Sequence, residues 1–138
     1  METVIHKESA GGVIIKDDTV LLIKSEIRNS YSFPKGTIDP GETKEVAAIR
    51  EVKEETGYNA QIIDLLDTLS FEFTNKDGNH LHKTVTYYHM RLTDDKDPEP
   101  NLQPGEDFVN VWAPIDEAYQ LLTYDDAKQI LKLAAARA

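Results

Sequence analysis

The sequence contains no cysteine, which excludes a disulfide framework, a zinc–thiolate centre and a thiol nucleophile, and nothing argues for an oxidising compartment. No apolar run approaches the ~18 to 20 residues needed to cross a bilayer, and the N-terminal METVIHKESAGG is charged rather than signal-like. A cytoplasmic protein without a membrane partner is the expectation. Basic residues are in the minority, with 15 Lys and Arg against 25 Asp and Glu and a net charge of −10. That balance repels a nucleic-acid backbone and supplies no basic stripe, so polymeric DNA or RNA is not expected as a partner. A small anionic substrate is compatible with it where divalent cations stand between the substrate and the carboxylates.

Glycine and proline are also few, 7 and 6, yet FPKGTIDPGE (33–42) holds two of each. Two stiff residues and two permissive ones directly ahead of a helical pattern suggest a loop whose shape is needed. The remainder reads as one domain, 1–138, with 40% apolar residues and no internal repeat. Val13 to Lys16 and Val20 to Lys24 flank Asp17-Asp18-Thr19 as a hairpin. AQIIDLLDTLSFEFTN, with Leu69, Phe71 and Phe73 alternating against Ser70, Glu72 and Thr74, leads through the turn 75–78 into HLHKTVTYYHMRL, a second hairpin. The Asp, Glu and Pro-rich stretch 93–107 is a loop. DFVNVWAPI (107–115) is the last strand, with Val109 and Val111 on one face, and Pro114 opens a helical stretch running to the end. The fold class is mixed α/β (α+β), layered rather than a regular βαβ series.

The segment 43–58 predicts a helix, with Thr43 as N-cap and Gly57 at the left-handed C-terminal position. At ~100° per residue, Glu51, Glu54 and Glu55 share one face, while Val46, Ala48, Ile49 and Val52 form the stripe expected to pack on a sheet. Glu51 and Glu55 are a like-charged i,i+4 pair and Glu54 and Glu55 lie near the negative end of the helix dipole, an arrangement that costs local stability. A solvated acidic face is the ordinary explanation of such charges. A site for hard divalent cations is the other, because Mg²⁺ or Mn²⁺ takes carboxylate oxygens and reverses the local potential.

Gly36, five residues, Glu42, seven residues and then REVKEETGY match the signature of the Nudix hydrolases over 23 residues, 36–58. The one departure is Tyr58, where that signature carries Ile, Leu or Val. The chain is therefore identified as a member of this MutT-like family by resemblance, and SAGGVII, SFPKG and KTVTYYHM extend the likeness over most of the first 110 residues. The resemblance implies a mixed β-sheet sandwiched between helices. It also implies Mg²⁺- or Mn²⁺-dependent hydrolysis of a nucleoside diphosphate linked to a further group, by in-line attack of water on a phosphoanhydride. By the same resemblance Glu51 and Glu55 are the principal metal ligands, Glu54 is a further ligand or part of the base machinery, and the Gly36 carbonyl completes the shell. Arg50, four residues before Glu54, and Glu42, from the loop side, are read as orienting residues that hold loop to helix, with Arg50 also a catalytic candidate. Glu106, in QPGEDF, is the candidate for a general base supplied by a later loop.

For the substrate, Lys35 and Lys83 are candidate phosphate contacts and Tyr87 and Tyr88 candidate base contacts. Neighbouring residues on a strand point to opposite faces, so at most one of the two tyrosines lines the site while the other packs, and packing of both in the core is the alternative. His80 and His82 share the opposite strand parity from Lys83. YSFPKG with KTVTYYHM resembles the dinucleoside polyphosphate hydrolases, which act on compounds such as diadenosine tetraphosphate, although Tyr31 stands where Trp is found in that group. A small nucleotide is then the partner, with the protein a monomer or homodimer. The alternatives are nucleoside triphosphates, ADP-ribose or diphosphoinositol polyphosphates as substrates, or a nucleotide-binding regulatory module without turnover.

Overall fold

A computed structural model describes residues 4–138. Strands β1 (Val4–Lys16) and β2 (Thr19–Ser25) form the first hairpin, closed after the Lys16–Thr19 pair by a turn in which Asp17 takes φ 55°. Asp tolerates this left-handed conformation better than most side chains. Strands β3 (Ser30–Ser32) and β4 (Lys35–Thr37) follow, then helix α1 (Lys44–Thr56). The next hairpin is β5 (Ala60–Thr74) with β6 (His80–Leu92), joined by a turn whose Asn75 side chain accepts from the Asp77 and Asn79 N–H groups at 3.0 Å each. Strand β7 (Val109–Pro114) and helices α2 (Ile115–Leu121) and α3 (Asp125–Ala135) complete the chain.

The strand order is β3-β2-β1-β6-β5, with β4 added to β1 and β7 to β2. All pairings are antiparallel except β1 with β6, which run parallel from Val4–His80 to Ile14–Met90. The sheet is thus mixed, as expected. Helix α1 covers one face, where Ala47, Ala48 and Val52 bury against Ala10, Ile14, Leu21 and Met90. Helices α2 and α3 cover the other, where Ala118, Leu122, Ile130 and Leu131 bury against Val13, Val20, Leu22 and Val85. Among the described residues no helix is long and apolar enough to cross a membrane.

Three expectations need correction. Val46 and Ile49 do not belong to the packed stripe of α1; they are 54% and 38% exposed, while Ala47, Glu51 and Glu55 turn inward. The helix is rotated towards its carboxylates because those side chains, and not Val46 and Ile49, meet β4. The segment 33–42 is not all loop: Lys35–Thr37 pairs antiparallel with Ser9–Gly11 of β1, and Gly36 has no positive φ. The C-terminal helical stretch is divided at Leu122, where the backbone turns extended. There Thr123 is pinned to Tyr31, accepting at Oγ1 from its N–H at 2.9 Å and donating its own N–H to the Tyr31 carbonyl at 3.2 Å.

Candidate active site

The turn 39–42 sets the approach to α1. Pro40 and Gly41 occupy its centre, Gly41 with φ 80°, and the Glu42 N–H donates to the Asp39 carbonyl at 3.0 Å, the pattern of a Pro-Gly turn. Thr43 Oγ1 then accepts from the Val46 N–H at 3.2 Å as N-cap. At the other end Gly57, φ 83°, donates its N–H to the Lys53 carbonyl at 2.9 Å. Both caps predicted from the sequence are formed.

Between these ends the Arg50 guanidinium ties the turn to the helix. Its Nε and Nη2 donate to the two Glu42 oxygens at 2.7 and 2.8 Å, and Nη2 also reaches the Thr37 carbonyl at 3.0 Å. Its Nη1 donates to Glu51 Oε1 at 2.9 Å and to Glu54 Oε2 at 3.2 Å. The bidentate contact holds the Glu42 carboxyl far down, at about 2, with the Asp39 N–H assisting. Arg50 therefore stands between the loop and the carboxylates.

Glu51 and Glu55 are buried although acidic. Burial first, and then the Glu51 and Glu106 charges, raise the Glu55 carboxyl to about 8 against a hydrogen bond from the Lys35 N–H at 3.0 Å. Burial likewise raises Glu51, opposed by Arg50. A Cβ on Gly36 would overlap the Glu51 carboxylate, so glycine lets strand β4 lie against that carboxylate without displacing it. These carboxylates, with Gly36, Glu54 and Glu106, line one cavity of about 380 Å³ that also takes in Lys35, Lys83 and Arg28. Lys35 is brought down to about 8, first by burial and then by the Lys83 charge beside it. The cavity has an acidic wall from α1 and a cationic wall from β4, β6 and the β2–β3 turn.

Among the described residues no three carboxylates or imidazoles are gathered closely enough to hold an ion between them; Arg50 occupies the position between Glu51 and Glu54. The donor chemistry nevertheless fits a hard divalent cation. Glu55 and Glu51 are desolvated like charges whose ionisation the fold disfavours, and a divalent charge beside them would relieve that penalty.

The cavity joins Gly36, Glu51, Glu54, Glu55, Glu106, Lys35 and Lys83, residues far apart in the chain that the sequence reading had singled out. It does not include the tyrosines. Tyr87 packs edge-on to Phe33 at 5.9 Å in the core beneath α2 and α3. Tyr88 lies in the core beneath α1, donating its hydroxyl to Glu45 at 3.1 Å. They do point to opposite faces, but each face is covered by a helix at that depth, and both rings are buried. His82 instead meets His6 across β1 and β6, Nδ1 to Nδ1 at 3.2 Å, outside the cavity lining. Tyr58, the departure from the signature, packs edge-on to Trp112 and accepts from its Nε1 at 3.0 Å. Sequence reasoning missed Arg28, Ser9, Thr37, Asp39 and Gln103 in the cavity lining; only the Asp39-Pro40-Gly41-Glu42 turn pattern offered a local signal, and that for Asp39 alone.

A helix whose buried carboxylates face a glycine-bearing strand, in a mixed sheet between helices, is the arrangement of the NUDIX domain, and the chain belongs to that family: its family model matches residues 5–134. A Mycobacterium tuberculosis protein with the provisional name mutator protein MutT4 is 34% identical over 94% of this chain and 55% of its own length. The chain thus spans little more than half of that relative. The asymmetrical bis(5'-nucleosyl)-tetraphosphatase of Rattus norvegicus is 32% identical over 82% of this chain and 75% of its own length. Among solved structures, the Ap4A hydrolase of C. elegans superposes with a TM-score of 0.72 at 25% identity, over 95% of this chain and 96% of the other.

Proposed function

We propose that the chain is a divalent-metal-dependent pyrophosphohydrolase that cleaves a dinucleoside polyphosphate such as diadenosine tetraphosphate by water attack on a phosphoanhydride. The observation that carries this reading is the two-walled cavity: buried Glu51 and Glu55 face Lys35 and Lys83, the charge arrangement a phosphate chain with its counter-cation requires. The likeness to the rat tetraphosphatase and the C. elegans Ap4A hydrolase supports the substrate class.

Glu51 and Glu55 would hold the ion, Mg²⁺ or Mn²⁺, with Glu54 and the Gly36 carbonyl beside them. When bound, it supplies Lewis-acid neutralisation of phosphoryl charge. Lys35 and Lys83 hold the chain of phosphates against the acidic wall, which orients the scissile bond. Arg50 keeps Glu51 and Glu54 in place through its bonds to both. Glu54 and Glu106 are the two carboxylates positioned to accept the proton of the attacking water. Glu54 is engaged by Arg50, whereas Glu106 enters from the loop before β7, its Oε1 accepting from the Gln103 N–H at 2.8 Å.

The test is product analysis over a panel of diadenosine tetraphosphate, nucleoside triphosphates and ADP-ribose with Mg²⁺. The expected result is ATP plus AMP from diadenosine tetraphosphate at the highest kcat/KM. Preferred turnover of a nucleoside triphosphate would replace the substrate, and nucleotide binding without any hydrolysis would remove the activity. Glu54→Gln and Glu106→Gln separate the base: the one whose loss flattens the alkaline rise of the pH–rate profile while leaving metal affinity intact accepts the proton.

A further inference from the structure

Arg28 lies outside the family signature, in the exposed turn between β2 and β3, yet that turn is tied down from across the fold. Asp107 Oδ1 accepts from Ser25 Oγ at 2.6 Å, and its Oδ2 accepts from the N–H groups of Glu26 and Ile27 at 2.9 and 3.0 Å. Ser25 Oγ in turn accepts from the Arg28 N–H at 3.1 Å. The turn closes with Asn29 at φ 48°, its N–H donating to the Glu26 carbonyl at 3.1 Å. The guanidinium sits 5.3 Å from the centroid of the Phe108 ring. Reversing the chain between two strands needs none of these long-range bonds. Their joint effect is to fix the backbone from which the Arg28 side chain projects.

That cation lines the same cavity as Lys35 and Lys83. Beside the Phe108 ring the guanidinium gains a cation–π contact through its carbon, which uses none of its N–H donors and leaves them for two-point contact with a phosphate. A diphosphate held by Lys35 and Lys83 against the acidic wall would leave Arg28, which lines the same cavity and is open to solvent, without a phosphate partner. We propose that Arg28 is a specificity residue that takes a third phosphate, so that the site selects chains of three or more phosphates over diphosphates, and that Asp107 is the positioning residue that holds it there. This rests on the reading of the cavity as a phosphoanhydride site, and it goes beyond it by assigning the chain length to one residue.

Binding of inorganic pyrophosphate and tripolyphosphate, measured by titration calorimetry with Mg²⁺, tests this without requiring turnover. Arg28→Ala should weaken tripolyphosphate by about tenfold or more and leave pyrophosphate within about twofold, with Arg28→Lys recovering part of the loss. Asp107→Asn keeps the guanidinium but weakens its tether; it should lower tripolyphosphate affinity selectively, and combined with Arg28→Ala should add nothing further. In the substrate panel the same variants should raise KM for triphosphates and longer chains while sparing ADP-ribose. Equal losses on both phosphate ligands, or none, would overturn the assignment of Arg28 while leaving the proposed activity standing. A wild-type protein that binds neither ligand overturns both.

Discussion

Gly36 and Glu51 share one small space: the Glu51 carboxylate lies where a side chain on Gly36 would begin. The reason for glycine here is contact rather than φ, since Gly36 sits in the regular pairing of β4 with Ala10 of β1. The neighbour is the far end of a flexible side chain, so Gly36→Ala should be accommodated by moving the carboxylate. Stability should change by no more than about 1 kcal/mol, while kcat falls by roughly a hundredfold because the carboxylate proposed to hold the ion is displaced. Thermal melting and steady-state kinetics on the same preparation check the two halves; an active variant would remove Glu51 from the site.

The Arg50 fork makes a sharper demand. It bonds Glu42 in two places and also the Thr37 carbonyl, Glu51 and Glu54, and a lysine ammonium cannot reproduce that planar set. Arg50→Lys should lower the urea unfolding free energy by ~1 to 3 kcal/mol, the range for charged hydrogen bonds, and should lose activity by more than Glu42→Gln does. If Glu42→Gln were as damaging as Arg50→Lys in kcat, the contacts to Glu51 and Glu54 would carry no function.

How far the sequence reached follows the range of each interaction. The α1 caps, the Asp17 turn and the β5–β6 hairpin are fixed by residues within a few positions of one another, and they were legible. The parallel pairing of β1 with β6 joins residues some 76 apart in register, which no local pattern reports. Helical periodicity separated acidic from apolar residues correctly, but it assigned burial by hydrophobicity. The structure buries Glu51 and Glu55 and leaves Val46 exposed, because the two carboxylates meet Gly36 and Lys35 of β4. Arg28 was invisible for a related reason: the bonds that tie down its turn come from Asp107, on a distant loop.

Two buried ionisable groups should give pH dependences of opposite sign. His89 is 4% exposed, and its Nδ1 has no hydrogen-bond partner although Asp64 Oδ1 lies 3.8 Å away. Burial holds its pKa below the usual 6.5, with Asp64 partly opposing. The unfolded chain takes up that proton first, so the His89 contribution to stability is lost as pH falls through 6.5. Glu55 is raised from 4.5 to about 8; the folded state keeps a proton that the unfolded chain releases, so stability is lost as pH rises across that window. Melting temperatures in metal-free buffer should therefore diverge. Wild type should gain on His89→Asn from pH 5 to 7, and lose to Glu55→Gln from pH 5 to 8. Parallel curves for either variant would show that its group is solvated.

Gly57 tests whether the acidic loop is docked or merely nearby. Its φ of 83° favours glycine, and a Cβ there would strike the backbone of Glu99 and Pro100. Around it, Glu99 donates its N–H to the Gly57 carbonyl at 3.3 Å and Asn101 its N–H to the Glu54 carbonyl at 2.8 Å. Asn110 caps the Thr56 carbonyl through its side-chain amide at 2.8 Å. The loop that carries Glu106 is thus the partner of the last carbonyls of α1. Gly41 has a similar φ of 80° with open space beside it, and so isolates the backbone term. Gly41→Ala should cost ~1 to 2 kcal/mol, whereas Gly57→Ala should cost distinctly more, expose 93–107 to limited proteolysis and depress kcat through Glu106. The clash is backbone against backbone, which no rotamer change relieves, so equal costs for the two variants would mean that the loop leaves the helix freely and that Glu106 has no fixed place in the site.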